Sequence, residues 1–90
     1  MDNQTKEILK DFIDFFGAQQ LFVAIEEMSE LQKELCKFLR GKGKINNICE
    51  EIADVYIMLE QLKLYFEINE EDIDEIMQFK INRTMKFLEE

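Results

Sequence analysis

Residues 19–39, QQLFVAIEEMSELQKELCKFL, place Leu21, Ala24, Ile25, Met28, Leu31, Leu35, Phe38 and Leu39 at intervals of three and four. That spacing puts them along one face of a helix and predicts a single long helix over Gln19 to Leu39. The following run, Arg40-Gly41-Lys42-Gly43-Lys44, is a basic, glycine-rich loop that ends it. Beyond the loop, Asn47 and Glu50 have the spacing of a capping box, which predicts a third helix from about Ile48 to Phe66. Upstream, Ile8, Leu9, Phe12, Ile13, Phe15 and Phe16 mark a first helix from about Thr5 to Phe16, closed by Gly17. Downstream, Asn69 is placed to cap a fourth helix running to about Leu88, with Glu70, Glu71 and Asp72 in its electropositive first turn.

The chain has 90 residues, no proline and three glycines, with 47% hydrophobic residues spread along its length. It is therefore expected to form one all-α domain over residues 1–90, four long helices joined by short loops as an antiparallel four-helix bundle. So short a chain covers only part of its apolar surface. Helices one and four, rich in Phe and in Ile and Met, predict assembly into a homodimer or homotetramer that completes the bundle.

Twenty acidic against eleven basic residues give a formal charge of −9. This balance excludes a basic face for a nucleic acid polymer and leaves a polyphosphate substrate only with a bridging cation. Histidine is absent, which removes His-ligated zinc, haem and Ser-His or Cys-His nucleophile systems. The lack of Glu-x-x-His also disfavours a di-iron carboxylate bundle. Cys36 and Cys49 lack CxxC spacing, and no secretory leader is evident, so they are expected to be free thiols of a cytoplasmic protein. No apolar run approaches the roughly 20 residues that span a bilayer, so no membrane partner is expected.

Two acidic segments carry the candidate chemistry, Glu26-Glu27-Met28-Ser29-Glu30-Leu31 and Glu50-Glu51-Ile52-Ala53-Asp54-Val55. On a wheel centred at Met28, Glu27 falls at about −100° and Glu30 at about −160°. With Ile52 as centre, Glu51 and Asp54 fall at about the same two angles. Each helix thus carries an acidic pair on one flank of its apolar stripe, and Glu34 extends the first row by a turn. Antiparallel packing would turn both pairs toward one cleft, where four carboxylates repel unless a cation neutralises them. An oxygen-only donor set suits Mg²⁺, or Mn²⁺. Acid-x-x-acid pairs also arise by chance in so acidic a chain, as at Asp11/Asp14 and Glu71/Asp74. What sets the two candidate pairs apart is their matched placement on consecutive helices.

Glu27-x-x-Glu30 followed by Glu51-x-x-Asp54, in the flanking text EEMSELQKEL and EEIADVYIMLEQL, resembles the paired acidic motif of MazG-like all-α nucleoside triphosphate pyrophosphohydrolases. The segment FKINRTMKFLEE is similar to the Lys-x-x-Arg helix that ends that family's domain, and the three elements in order cover about residues 18–90. The resemblance implies Glu27, Glu30, Glu51 and Asp54 as metal ligands, with Glu26 or Glu50 in support. It implies Lys80 and Arg83 as contacts to the substrate phosphates. A metal-activated water would then split a nucleoside triphosphate into monophosphate and pyrophosphate, with Glu27 or Glu30 taking the proton. Independently, Lys80 lies about 60° from Met77, within the stripe of Ile73, Ile76, Ile81 and Leu88, where a lysine needs an anion or a path to solvent. Two other functions fit the same composition: a non-catalytic acidic helical module binding a basic partner, and a phosphoribosyl-ATP pyrophosphohydrolase with related acidic motifs.

Overall fold

The computed structural model describes residues 1–89 and contains four helices, with no strand among the described residues. They are α1 (Asn3–Phe16), α2 (Gln19–Leu39), α3 (Ile45–Tyr65) and α4 (Glu70–Glu89). The all-α expectation holds, and α2 has the predicted bounds. Helix α1 begins two residues earlier than expected because Asp2 caps it, its Oδ1 accepting from the Thr5 N–H at 2.7 Å.

The start of α3 corrects the sequence reading. Asn47 is not its N-cap: the helix already begins at Ile45, after Lys44, which makes no side-chain cap. The cause lies in the preceding turn. Gly41 adopts φ +77°, while the Gly41 and Lys42 N–H groups return to the Phe38 and Lys37 carbonyls, each at 2.9 Å. This is a Schellman closure of α2. Gly43 then passes so close to Phe38 that a Cβ there would lie 2.6 Å from the Phe38 backbone nitrogen. The chain has already reversed by Lys44, leaving the Asn47 and Ile48 N–H groups to bond the Lys44 carbonyl. Asn69 does cap α4, accepting from the Glu71 N–H at 2.9 Å.

Helix α3 ends in a similar closure. The Ile68 N–H reaches the Lys63 carbonyl at 2.9 Å, and Glu67 holds the left-handed position at φ +54°. A residue with a Cβ is strained there by roughly 1 kcal/mol. Glu67→Gly is therefore expected to raise the melting temperature, by about 4–8 °C for each kcal/mol recovered in a domain of this size. Thermal melts of the two proteins check this.

Helices α2 and α3 pack antiparallel along much of their length, and α1 lies mainly against α3. The buried apolar core is small, consisting of Ile13, Ala24 and Met58. Helix α4 stands off from this group: none of its described side chains is buried, and only Ile73 is half-buried. A Lys63 ammonium shared between Glu60 (2.8 Å) and Glu70 (2.6 Å) ties its first turn to α3. The radius of gyration is 16.0 Å, against roughly 12 Å for a compact chain of this length. No described helix is long and apolar enough to cross a membrane, and both cysteines are free and exposed.

Candidate metal centre

The intramolecular faces of α2 and α3 do not coincide with their apolar stripes. On α2 the buried residues are Gln20, Ala24 and Glu34, which centre the face about 80° from Met28 toward the glutamates. Glu27 then lies about 20° from that centre and Glu30 about 80° from it. On α3 the buried Met58 and Gln61 lie on the Glu51 and Asp54 side of Ile52. The two helices therefore meet along a polar seam. Gln20 donates its Nε2 to Gln61 Oε1 at 2.8 Å at one end, and Glu34 is buried toward the other.

Between those ends, Glu27, Glu51 and Asp54 each bring one carboxylate oxygen into a group whose members all lie within 4.8 Å of one another. Glu27 and Glu51 are half-buried, and Asp54 is exposed at the mouth. Glu30 stands one turn along α2, outside this close set and exposed. Its angle explains the difference, since it projects to the flank of the contact face. Lys80 and Arg83 are both exposed on α4, with the Arg83 guanidinium 6.0 Å from the centre of the Phe79 ring. Because α4 is unpacked, the stripe around Lys80 is not a buried one in the protomer, and neither cation is drawn toward the carboxylates.

Both half-buried acids are perturbed in the direction that crowding demands. Burial, then the Asp54 and Glu51 charges, push the Glu27 carboxyl above its ordinary value. Burial, followed by Asp54, Glu30, Glu34 and Glu50, does the same to Glu51. Like charges and low dielectric disfavour the ionised form, so the folded protein holds these protons more tightly than the unfolded chain. The resulting penalty is absent below the unfolded value of roughly 4.3 and complete above the raised one. Without metal, the melting temperature is therefore expected to rise as pH is lowered from neutrality toward the ordinary carboxylate value. Glu70, held low by hydrogen bonding to Lys63, loses its contribution only below the ordinary carboxylate value. Thermal melts at pH 5, 6 and 7 in chelator check the sign, and millimolar Mg²⁺ should flatten the trend.

The donor set fits a hard divalent cation. Three carboxylates converge, and Glu51 Oε2 is buried without any hydrogen-bond partner. A buried, unsatisfied carboxylate oxygen is costly unless a proton or cation meets it. There is no thiolate or imidazole nearby to favour a softer ion.

Gln20, Gln61 and the burial of Glu34 were not apparent from the apolar stripe alone. Their signal was a seven-residue recurrence of polar side chains: Gln20, Glu27 and Glu34 on α2, Asp54 and Gln61 on α3. Comparison of the chain with protein-family models, characterised proteins and solved structures returns no match, so the likeness to MazG-like enzymes rests on the motifs themselves.

Proposed function

We propose that this chain is a Mg²⁺-dependent nucleoside triphosphate pyrophosphohydrolase of MazG-like type, acting as a homo-oligomer. The observation that carries the reading is the convergence of Glu27, Glu51 and Asp54 across two antiparallel helices without a protein cation among them. Three carboxylates crowded together make a poor structural feature and a good cation site. Glu27, Glu51 and Asp54 would hold the ion, with Glu30 adjoining. A divalent cation bound there supplies charge neutralisation for phosphate oxygens and makes nearby water more acidic. Glu30, exposed and one turn from Glu27 on α2, would accept the proton of the attacking water.

Lys80 and Arg83 supply the positive charge that a departing pyrophosphate needs. Because α4 stands away from α2 and α3 in the protomer, these cations would meet the carboxylates through a second copy. Surface area supports such an assembly. The described chain exposes 7537 Å², about 2,000 Å² more than a compact monomer of 10.8 kDa is expected to. That excess matches what one protomer contributes to an obligate dimer interface.

Incubation with a panel of nucleoside and deoxynucleoside triphosphates, with phosphoribosyl-ATP alongside, and assay of pyrophosphate tests the activity. Release that requires Mg²⁺ and stops in chelator is expected. A well-folded, metal-loaded protein inert toward every triphosphate would sink the enzymatic reading and favour the non-catalytic module.

A further inference from the structure

The two ends of the α2/α3 seam are held differently. At one end the Arg40-to-Lys44 turn joins the helices, its Gly41 and Lys42 N–H groups closed onto the Phe38 and Lys37 carbonyls. At the other end no short connection joins them. There Gln20 and Gln61 meet, 8% and 5% exposed, with Gln20 Nε2 donating to Gln61 Oε1 at 2.8 Å. Among the described residues this is the one hydrogen bond between uncharged side chains that crosses from α2 to α3, and no ion pair crosses with it.

Gln20 precedes Glu27 by seven residues, and Gln61 follows Asp54 by seven. In an antiparallel pair those equal offsets put the two couples on one seam, two turns or about 10 Å apart. The register that joins the amides is therefore the one that sets Glu27 against Asp54, in the group whose oxygens lie within 4.8 Å of one another. Apolar packing fixes this register only loosely. The buried apolar side chains of α2 and α3 are Ala24 and Met58, a single methyl and an unbranched, adaptable chain. Carboxylate repulsion meanwhile favours sliding or splaying at the Glu27 level. A slip of one turn would leave two buried amides without partners, which is how a buried polar pair specifies register where apolar contact does not.

We propose that Gln20 and Gln61 are positioning residues, whose bond locks the register of α2 on α3 and holds Glu27 against Glu51 and Asp54 before any cation arrives. Two turns from the carboxylates, the amides act through helix placement alone. The use of that placement for a cation rests on the metal reading above, whereas the placement itself does not. Replacing both amides by Met keeps an unbranched chain of similar length and strands no polar group. Stability and register are thereby separated. Amides that merely filled the seam would give way to Met with the carboxylates left in place, whereas loss of a lock lets them part.

The test compares Gln20→Met/Gln61→Met with the unaltered pair by two readouts. Nitroxides on Cys49 and on Gln19→Cys, in a Cys36→Ser background, occupy exposed sites on α3 and α2. They lie about 20 Å apart along the axis, so a slip changes their separation directly. Pulsed electron paramagnetic resonance on metal-free labelled chain, diluted into unlabelled chain, reads that distance within one protomer. Equilibrium dialysis with Mn²⁺ alone gives the cation affinity. With the amides present, one narrow distance is expected. In the double Met variant the distance shifts or broadens and Mn²⁺ binding weakens by about tenfold or more, while the melting temperature holds. If that variant does not fold, Gln61→Asn, which keeps the amide but draws it back by one methylene, provides the comparison. The same narrow distance in a folded variant overturns the proposal, as does a displaced distance with unchanged Mn²⁺ affinity. If the unaltered protein binds no Mn²⁺, the metal reading falls and the distance alone decides the register lock.

Discussion

Asp54→Asn and Glu51→Gln are each expected to lower Mg²⁺-dependent pyrophosphate release by about 10³-fold or more, while leaving the metal-free protein at least as stable as the original. The two effects have opposite signs because they come from the same crowding. Glu27, Glu51 and Asp54 bring oxygens within 4.8 Å of one another, and Glu51 Oε2 has no donor. An amide at either position removes one negative charge and offers an N–H to a neighbouring carboxylate. The apo protein therefore gains a hydrogen bond where it had repulsion. The same change deletes an ionic donor from the proposed cation site, so any rise in melting temperature that Mg²⁺ brings should shrink or vanish. A structural salt-bridge network would behave otherwise, since loss of one partner strands its counter-charge and lowers stability. The decisive measurement pairs melts with and without Mg²⁺ against a pyrophosphate assay. Unchanged turnover in a folded Asp54→Asn protein removes the site from the mechanism.

The elements themselves were legible in the sequence because their punctuation is strong. Gly17, Gly41 and Asn69 mark the ends where the structure has them, and the bounds of α2 follow from its apolar spacing alone. The start of α3 was misplaced because a capping-box pattern at Asn47 and Glu50 competed with a turn that had already closed. The Gly41 and Lys42 hydrogen bonds and the approach of Gly43 to the Phe38 backbone show that closure. The orientation of the helices was harder to obtain. A wheel centred on the apolar stripe assumes that the stripe faces the chain's own core. Here Ile25, Ile52, Tyr56 and Leu59 remain exposed, and Gln20, Glu27, Glu34 and Gln61 occupy the seam. The sequence singles out the four acids because the two pairs share a flank, but not which of them converge. Glu30 lies outside the close group and Glu34 is buried, a difference set by about 40° of helix rotation that composition does not encode.

The outward apolar face leads to the other large expected effect, on assembly. Tyr56 is 65% exposed and borders two apolar hollows, one with Leu31, Ile52, Val55 and Leu59, the other with Leu62, Ile68, Ile73 and Met77. The exposed Ile25 lies on the stripe side of α2, and Ile76, Phe79, Ile81, Met85 and Phe87 continue the exposed apolar surface along α4. Among the described residues, three buried apolar side chains are too few to hold the chain against its entropy. The folded state is thus expected to depend on a second copy: a dimer or larger by sedimentation at micromolar concentration, with a melting temperature that rises with protein concentration. Tyr56→Glu separates this from packing within one chain. In an isolated protomer, a substitution at so exposed a position changes stability by no more than about 0.5 kcal/mol. Within an interface it buries an unpaired charge and should cost several kcal/mol, enough to leave a monomer without a cooperative melt. A Tyr56→Glu protein that melts and sediments like the original would place the interface elsewhere, and a wild-type chain that sediments as a stable monomer would end the oligomer reading.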